Sequence, residues 1–389
     1  GRDYQLFNYT GAPDAERVII LMGSGAQTAE EVVKILAGQG EKVGVLNVHL
    51  YRPFSVKHFL SALPETVKKI AVLDRTKEPG AIGEPLYLDV KAAFYHSDMH
   101  PTIVGGRFGL GGKDTTPDQI FAVFEELKKD APKDGFTIGI DDDVTHASLT
   151  PALTDVDLTP EGTTACKFWG LGSDGTVGAN KSAIKIIGDK TDMYAQAYFA
   201  YDSKKSGGIT MSHLRFGKSP ITSPYLINKA DFISCSQQSY VYQYDLLAGL
   251  KPHGVFLLNT PEPADAVWAS LPAKMQAGIR ERGLKLWVID AYRVAQDAGM
   301  GRRINTIMQT CFFAISGILP HDEAVAAIKK AVDKTYGRKS KRLADLNHRA
   351  IEMTLANLHE AVVGETVGAA PIELKPAADL PDFVRDFTL

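Results

Sequence analysis

Cysteine is scarce in this sequence, and it is never clustered. Cys166, Cys235 and Cys311 lie far apart, with no C-x-x-C pair and no histidine at ligand spacing. Iron–sulfur clusters and structural zinc both need clustered ligands, so the sequence predicts neither. Scattered cysteines of this kind are more typical of buried thiols in a reducing cytosol than of disulfides.

Long apolar runs and an excess of positive charge are also missing. No apolar run approaches the ~20 residues that span a bilayer. A net charge of −3 argues against a nucleic-acid partner, which would require a basic face. The first residues, Gly1 to Tyr4, show neither an initiator Met nor a signal-peptide pattern. We therefore expect a fragment of a longer, cytoplasmic protein with no membrane or nucleic-acid partner.

What is present is a regular alternation of apolar runs and amphipathic segments. At 389 residues the chain exceeds one ordinary core, which predicts two domains. The run Val18–Met22 predicts a buried strand, followed by a helix in which Thr28 is the N-cap and Glu31 completes a capping box. A later helix is predicted from about Ala264 to Arg282. The pattern predicts an α/β fold of two doubly wound domains with mainly parallel sheets, plus a C-terminal helical segment and linker.

The most distinctive stretch runs from Phe168 to Lys181 and contains Gly170, Gly172, Gly175 and Gly178. It reads as a strand, a tight Gly-rich turn and a helix N-terminus. Such a turn leaves backbone N–H groups and the positive end of the helix dipole available to an anion, usually a phosphate.

Two other interpretations of this turn stay open. Its spacing nominally matches the dinucleotide fingerprint, but Asp174 puts a carboxylate inside the loop, where it would repel a pyrophosphate unless it caps the helix or meets a hydroxyl or amine. The fingerprint also needs an acidic ribose contact, for which Asp202 is a poor candidate. A purely structural turn is the third interpretation.

A second candidate site follows the predicted strand that ends at Tyr201. Lys204 and Lys205 stand between a serine and two glycines, which suits phosphate binding. Asn305, near the start of a buried helix, is as suitable for a cap as for a ligand contact. The basic interruption at 336–342, which includes Arg338, is either a solvated face or an anion site.

The first domain has charged residues near its strand ends: Arg52, Asp74, Arg75, Lys77 and Glu84. They could face a ligand, but we favour an ion-pair network that holds this domain to its neighbours. The run Asp141–Asp143 could suggest Mg²⁺, although consecutive residues cannot easily face one ion. A linker with a helix-capping Asp is the preferred interpretation.

Several long motifs carry a resemblance that covers nearly the whole chain. Residues 164–188 and 201–208 resemble the gamma-type domain of pyruvate:ferredoxin (flavodoxin) oxidoreductases. Residues 50–54 and 73–80 resemble the transketolase C-terminal-like domain that precedes it in the same enzymes. The resemblance implies domains at 1–138 and 164–368, a linker at 139–163 and a departing linker at 369–389.

The family's activity is implied for the intact protein. In that family a cytoplasmic homodimer uses thiamine diphosphate to decarboxylate pyruvate, passes electrons through [4Fe-4S] clusters to ferredoxin or flavodoxin, and transfers the acetyl group to coenzyme A. The thiamine and cluster motifs lie in other domains, so this fragment should not be active alone. By resemblance, it contributes coenzyme A contacts from Gly172, Ser173, Asp174, Gly175, Thr176, Lys204 and Asn305, with Arg338 as a looser assignment.

Two alternatives belong to other functional classes. The segment could be only a dimerisation and packing scaffold, as in sulfite reductase flavoproteins that keep related domains without their chemistry. A nicotinamide oxidoreductase is the other alternative, and it depends on the missing acidic ribose contact.

Overall fold

The chain forms two compact units. The computed structural model describes residues 4–152, 156–204, 207–337 and 340–368. The first unit comprises the described residues up to Pro160 together with Pro220–Leu226, and the second comprises Glu161–Ser219 and the described residues from Ile227 onward.

The first unit is built on a six-stranded sheet in the order β1-β3-β2-β4-β5-β6. All neighbouring strands are parallel except β1, which runs antiparallel to β3. Its elements are β1 Phe7–Gly11, β2 Arg17–Leu21, α1 Ser24–Gly38, β3 Val43–Val48, α2 Val56–Ser61, β4 Lys69–Asp74, α3 Pro85–Phe94, β5 Thr102–Arg107, α4 Pro117–Lys128 and β6 Phe136–Thr137.

The second unit is built on a seven-stranded sheet in the order β13-β12-β11-β10-β7-β9-β8. Strands β12, β11, β10 and β7 are parallel, whereas β9, β8 and β13 pair antiparallel with their neighbours. Its elements are β7 Thr164–Leu171, α5 Thr176–Lys190, β8 Tyr194–Tyr201, β9 Ile209–Gly217, β10 Ala230–Cys235, β11 Leu250–Asn259, α6 Val267–Ser270, α7 Ala273–Glu281, β12 Lys285–Ile289, α8 Ala291–Asp297, α9 Asn305–Ser316, α10 His321–Val332, α11 Lys341–Asn357 and β13 His359–Glu360.

Each sheet has an apolar cluster on both faces, because successive side chains of a strand point in opposite directions. In β2, Ile19 and Leu21 pack with α1 and α4, while Val18 and Ile20 pack with α2 and α3. In β7, Phe168 packs with α5, α9 and α11, whereas Trp169 belongs to the cluster on the other face of the sheet, which includes α7. The predicted α/β class with helices on both faces of each sheet is confirmed.

Two local predictions about helices are wrong. Helix α1 begins at Ser24, so Thr28 is not its cap but a buried residue whose hydroxyl donates to the Thr115 carbonyl at 3.4 Å. Glu31 does not complete a capping box. Its carboxylate accepts hydrogen bonds from the hydroxyls of Thr222, Ser223 and Tyr225, which belong to the segment Pro220–Leu226 of the same unit. Gly23 is the N-cap and makes no side-chain hydrogen bond. The sequence pattern indicated Thr28 instead, because its hydroxyl is a possible capping group.

The single helix predicted for 264–282 is also wrong, because it is two helices, α6 and α7. Leu271 adopts an extended backbone between them, with ψ 145°. Pro272 explains the break, since proline disfavours helical geometry in the residue before it. The predicted linker 369–389 lies outside the described residues.

Candidate functional site

The Gly-rich stretch folds as predicted, with β7 leading through a tight loop into α5. Gly175 is the helix N-cap and has φ 93°, a conformation that glycine adopts at little cost. Ser173 also has positive φ, at 76°, which is uncommon for a residue with a side chain. Strained residues of this kind cluster at ligand sites. The first turn of α5 leaves N–H groups without an intrahelical acceptor.

The Asp174 carboxylate is the centre of the loop. One oxygen accepts from the Thr176 amide at 2.7 Å, and the other accepts from the Leu171 amide and the Thr176 hydroxyl, each at 2.8 Å. The hydroxyl of Ser236 donates to that second oxygen at 2.8 Å. The carboxylate therefore closes the turn, and four hydrogen-bond donors of the fold stabilise its charged form.

Two further polar residues support Asp174 from the neighbouring parallel strands. Ser236 follows β10, and Asn259 is the last residue of β11. The Asn259 amide donates to the Ser236 carbonyl at 3.0 Å and accepts from the Ala291 amide at 2.9 Å. Both side chains are buried, so these hydrogen bonds are protected from water.

The loop between β8 and β9 lies over the Gly-rich turn. Gly172 donates to the Gly208 carbonyl at 2.7 Å and accepts from the Gly207 amide at 3.3 Å. Together the two loops enclose a cavity of ≈ 460 Å³. Lys204, Ser203 and Asp202 line it on one side, and residues 171–175 line it on the other.

The structure brings most of the predicted site residues together. Five of them line this cavity: Gly172, Ser173, Asp174, Gly175 and Lys204. Thr176 bonds directly to Asp174. Asn305 is the first residue of α9 rather than its cap, and its Cβ lies 3.1 Å from the point where a Cβ on Gly175 would sit. Arg338 lies outside the described residues.

The strand order does not match a dinucleotide-binding unit. In that unit the chain leaves the first helix and returns as a parallel strand. Here the chain leaves α5 and returns as β8, which pairs antiparallel with β9 at the edge of the sheet. The acidic candidate Asp202 lies on the hairpin loop beside Lys204 and not at the end of a second parallel strand.

Sequence reasoning missed Ser236 and Asn259. Their position in the sequence could have indicated them, because each residue stands at the end of an apolar run that predicts a strand. The carboxyl ends of parallel strands meet at one edge of an α/β sheet, and ligands bind at that edge. Their side chains were overlooked because a lone Ser or Asn after a strand is equally typical of an ordinary turn.

Three of the charged candidates of the first unit, Arg52, Asp74 and Glu84, bond within that unit. Asp74 accepts from the amides of Leu86 and Tyr87, each at 3.0 Å, and so caps α3. Arg107 donates to the buried Glu84 at 2.6 Å. Asp142 accepts from Val144, Thr145 and Ala147 and closes a turn, so the predicted helix-capping role is wrong.

The cysteines do not fit a metal cluster. All three are buried on separate elements, and burial raises the pKa of each thiol, so the thiolates that clusters need are disfavoured. Within the ranges that the structure covers, no group of three or more His, Cys, Asp and Glu side chains could hold a metal ion. In the same ranges, none of the helices has the length and apolarity to cross a membrane.

Known proteins match this chain over its whole length. Residues 165–356 match the family model described as pyruvate ferredoxin/flavodoxin oxidoreductase, and residues 15–120 match pyruvate:ferredoxin oxidoreductase core domain II. The pyruvate-flavodoxin oxidoreductase of Enterobacter agglomerans is 56% identical over 100% of this chain and 33% of its own length. That of Klebsiella pneumoniae is 57% identical over 99% of this chain and 33% of its own length.

These matches place the chain among relatives that are named as oxidoreductases. More closely, it belongs to the pyruvate ferredoxin/flavodoxin oxidoreductase family, and it spans about a third of the length of the curated relatives it matches. Among solved structures, a pyruvate oxidoreductase subunit from Thermotoga maritima overlays 52% of this chain and 100% of its own, at 18% identity and a TM-score of 0.41.

Proposed function

We propose that the second unit binds coenzyme A at the cavity between the Gly-rich turn and the β8–β9 loop. One observation carries the proposal. Asp174 is engaged by donors of its own fold, so the turn can present backbone amides to an anion while Lys204 supplies a positive charge across the same cavity.

The chemistry of coenzyme A matches these groups. Its pyrophosphate and 3′-phosphate suit Lys204 and the N-terminus of α5, because ammonium groups and helix N-termini both stabilise phosphate charge. Its amides and hydroxyls suit the side chains of Asn305, Ser173 and Thr176. Arg338 is a further proposed contact. The bound thiol would then be held where an acyl group formed elsewhere in the enzyme can reach it.

For the intact protein we propose the family's reaction. It would oxidatively decarboxylate pyruvate to acetyl-coenzyme A and pass electrons to ferredoxin or flavodoxin, as a cytoplasmic homodimer. Thiamine diphosphate and [4Fe-4S] clusters would supply the decarboxylation and electron-transfer chemistry from other domains. In this scheme residues 1–138 and 164–368 are separate domains, joined by a linker at 139–163 and followed by one at 369–389.

Calorimetric titration of the chain with coenzyme A and with dephospho-coenzyme A tests the proposal. We expect Lys204→Ala to weaken coenzyme A binding about tenfold, which corresponds to about 1.4 kcal/mol. Lys285→Ala is the matched control, because Lys285 is exposed at the start of β12, five strands away from β8 in the sheet. It should bind like the unchanged chain.

Two results would count against the proposal. If neither variant alters binding, the anion is held elsewhere. If the folded chain shows no binding at millimolar coenzyme A, the packing-scaffold role known for related domains of sulfite reductase flavoproteins becomes the better account of this unit.

A further inference from the structure

A second concave surface in the same unit is lined by lysines. Helix α5 contributes Lys181, Lys185 and Lys190, and the end of α10 with the turn after it contributes Lys330 and Lys334. We call these five residues the lysine groove. It has a volume of ≈ 710 Å³, and none of its lining residues lines the cavity at the Gly-rich turn.

In the lysine groove, positive side chains outnumber the carboxylate of Asp189 by five to one. Over the ranges that the structure covers, none of its five lysines forms an ion pair, whereas the neighbouring Lys329 binds Glu352 at 2.8 Å. Lys181 instead lies over the Phe199 ring, 5.3 Å from its centroid. Asp189 contributes the one carboxylate among the lining residues. The groove is thus strongly positive in a chain whose net charge is −3.

Stabilisation of the helices accounts for only part of this cluster. Cations in the last turn of a helix interact favourably with its dipole, which explains Lys190 in α5 and Lys330 in α10. Lys181 and Lys185 lie earlier in α5, one turn apart on one face, where like charges repel each other. An anion in the groove would relieve that repulsion.

The shape and lining of the groove favour a small ligand with several phosphates. Its floor includes Ile186 and Ala327, and the Ser182 hydroxyl adds a hydrogen-bonding group, whereas the Thr335 hydroxyl donates to the Ala331 carbonyl at 2.8 Å. A concave volume of this size is typical of small-molecule sites rather than of protein interfaces. Lysine is suited to phosphate as a flexible point charge. We infer that the lysine groove binds a polyphosphate-bearing small molecule, such as a nucleoside triphosphate, separately from the Gly-rich turn.

Calorimetric titration of the chain with inorganic tripolyphosphate and with ATP tests this inference. The double variant Lys185→Gln/Lys330→Gln removes one charge from each wall of the groove, and both side chains are exposed, so the fold should survive. Lys34→Gln/Lys57→Gln removes the same charge from exposed positions of the first unit. We expect saturable binding that the groove variant weakens at least about tenfold and the control leaves unchanged. The effect should shrink with added salt.

The remaining outcomes have distinct meanings. Equal weakening in both double variants would indicate a general charge effect and overturn the inference. Loss of tripolyphosphate binding in Lys204→Ala but not in the groove variant would assign the anion to the Gly-rich turn, which also overturns it. Absence of binding at millimolar ligand, with acidic polyglutamate bound instead, would favour a protein partner. Tighter binding of ATP than of tripolyphosphate would support a nucleotide as the natural ligand.

Discussion

Each unit contains a strand that leads through glycines into a helix, and the two turns differ in what surrounds them. After β2, a Cβ on Gly25 would lie 2.6 Å from the ring of Phe108, so an aromatic side chain fills the turn. After β7, the turn is held by hydrogen bonds to Asp174 and opens on a cavity. The first glycine permits packing, whereas the second set of glycines lets the turn line a cavity.

This difference teaches that a strand–glycine–helix pattern does not by itself define a binding site. A carboxylate placed inside the loop, with buried hydroxyl and amide groups behind it, distinguishes the second turn. The surroundings of the two turns should therefore respond differently to acid, to loss of the carboxylate and to added volume. All three tryptophans, Trp169, Trp268 and Trp287, lie in the second unit, so their fluorescence follows its unfolding alone.

The largest difference should appear on acidification, because the second unit buries a neutral histidine. Burial, with the charges of Lys167 and Arg215, lowers the pKa of His213 to about 3. The folded ring stays neutral between pH 6.5 and 3, while the unfolded ring takes up a proton below about 6.5. Stability is therefore lost as the pH falls through this window, by about 1.4 kcal/mol per pH unit and roughly 3 kcal/mol by pH 4.

Urea unfolding followed by tryptophan fluorescence at several pH values measures this loss. His213→Gln keeps an acceptor for the Ile227 amide, which now donates to the ring at 3.2 Å, and should flatten the dependence on pH. If the variant and the unchanged chain lose stability in parallel, the acid sensitivity comes from other groups.

The second expected effect comes from removing the carboxylate of the turn. Asp174→Ala leaves the amides of Leu171 and Thr176 without their acceptor, while the Ser236 hydroxyl retains the Trp169 carbonyl as an acceptor at 3.1 Å. We expect a loss of about 2–3 kcal/mol in the free energy of unfolding of the second unit, measured by tryptophan fluorescence in urea. Asp174→Asn retains one acceptor oxygen and should lose about 1–2 kcal/mol. Unchanged stability in Asp174→Ala would show that the loop does not depend on its carboxylate.

The smallest effect should come from filling the turn of the first unit. Gly25→Ala pushes a methyl group against Phe108 and should destabilise the first unit by about 1–2 kcal/mol, seen by circular dichroism but not by tryptophan fluorescence. Gly38→Ala at the end of the same helix has no atom within 4 Å of the added methyl, and should be neutral or stabilising by up to about 1 kcal/mol. Equal behaviour of the two variants would mean that Phe108 moves aside freely.

Strands made of continuous apolar residues were predictable, and polar ones were not. The apolar run Val18–Met22 predicts a strand, and it forms β2, which spans Arg17–Leu21. Strand β9 was missed because its buried residues include Ser212, His213 and Arg215, which give no apolar periodicity. The buried Arg215 is tolerated because the neighbouring strand β8 supplies Gln196, which accepts from it at 3.0 Å.

The sequence by itself determined the α/β class, the Gly-rich turn and the lysine beside it, since apolar runs, glycines and charges are local properties. It did not determine what Asp174 would do there. That depended on Ser236, which stands 62 residues further along the chain and reaches the loop because β10 lies next to β7 in the sheet. The order of strands in a sheet decides which strand ends meet, so only the tertiary structure could turn a carboxylate that would repel phosphate into one that holds the turn together.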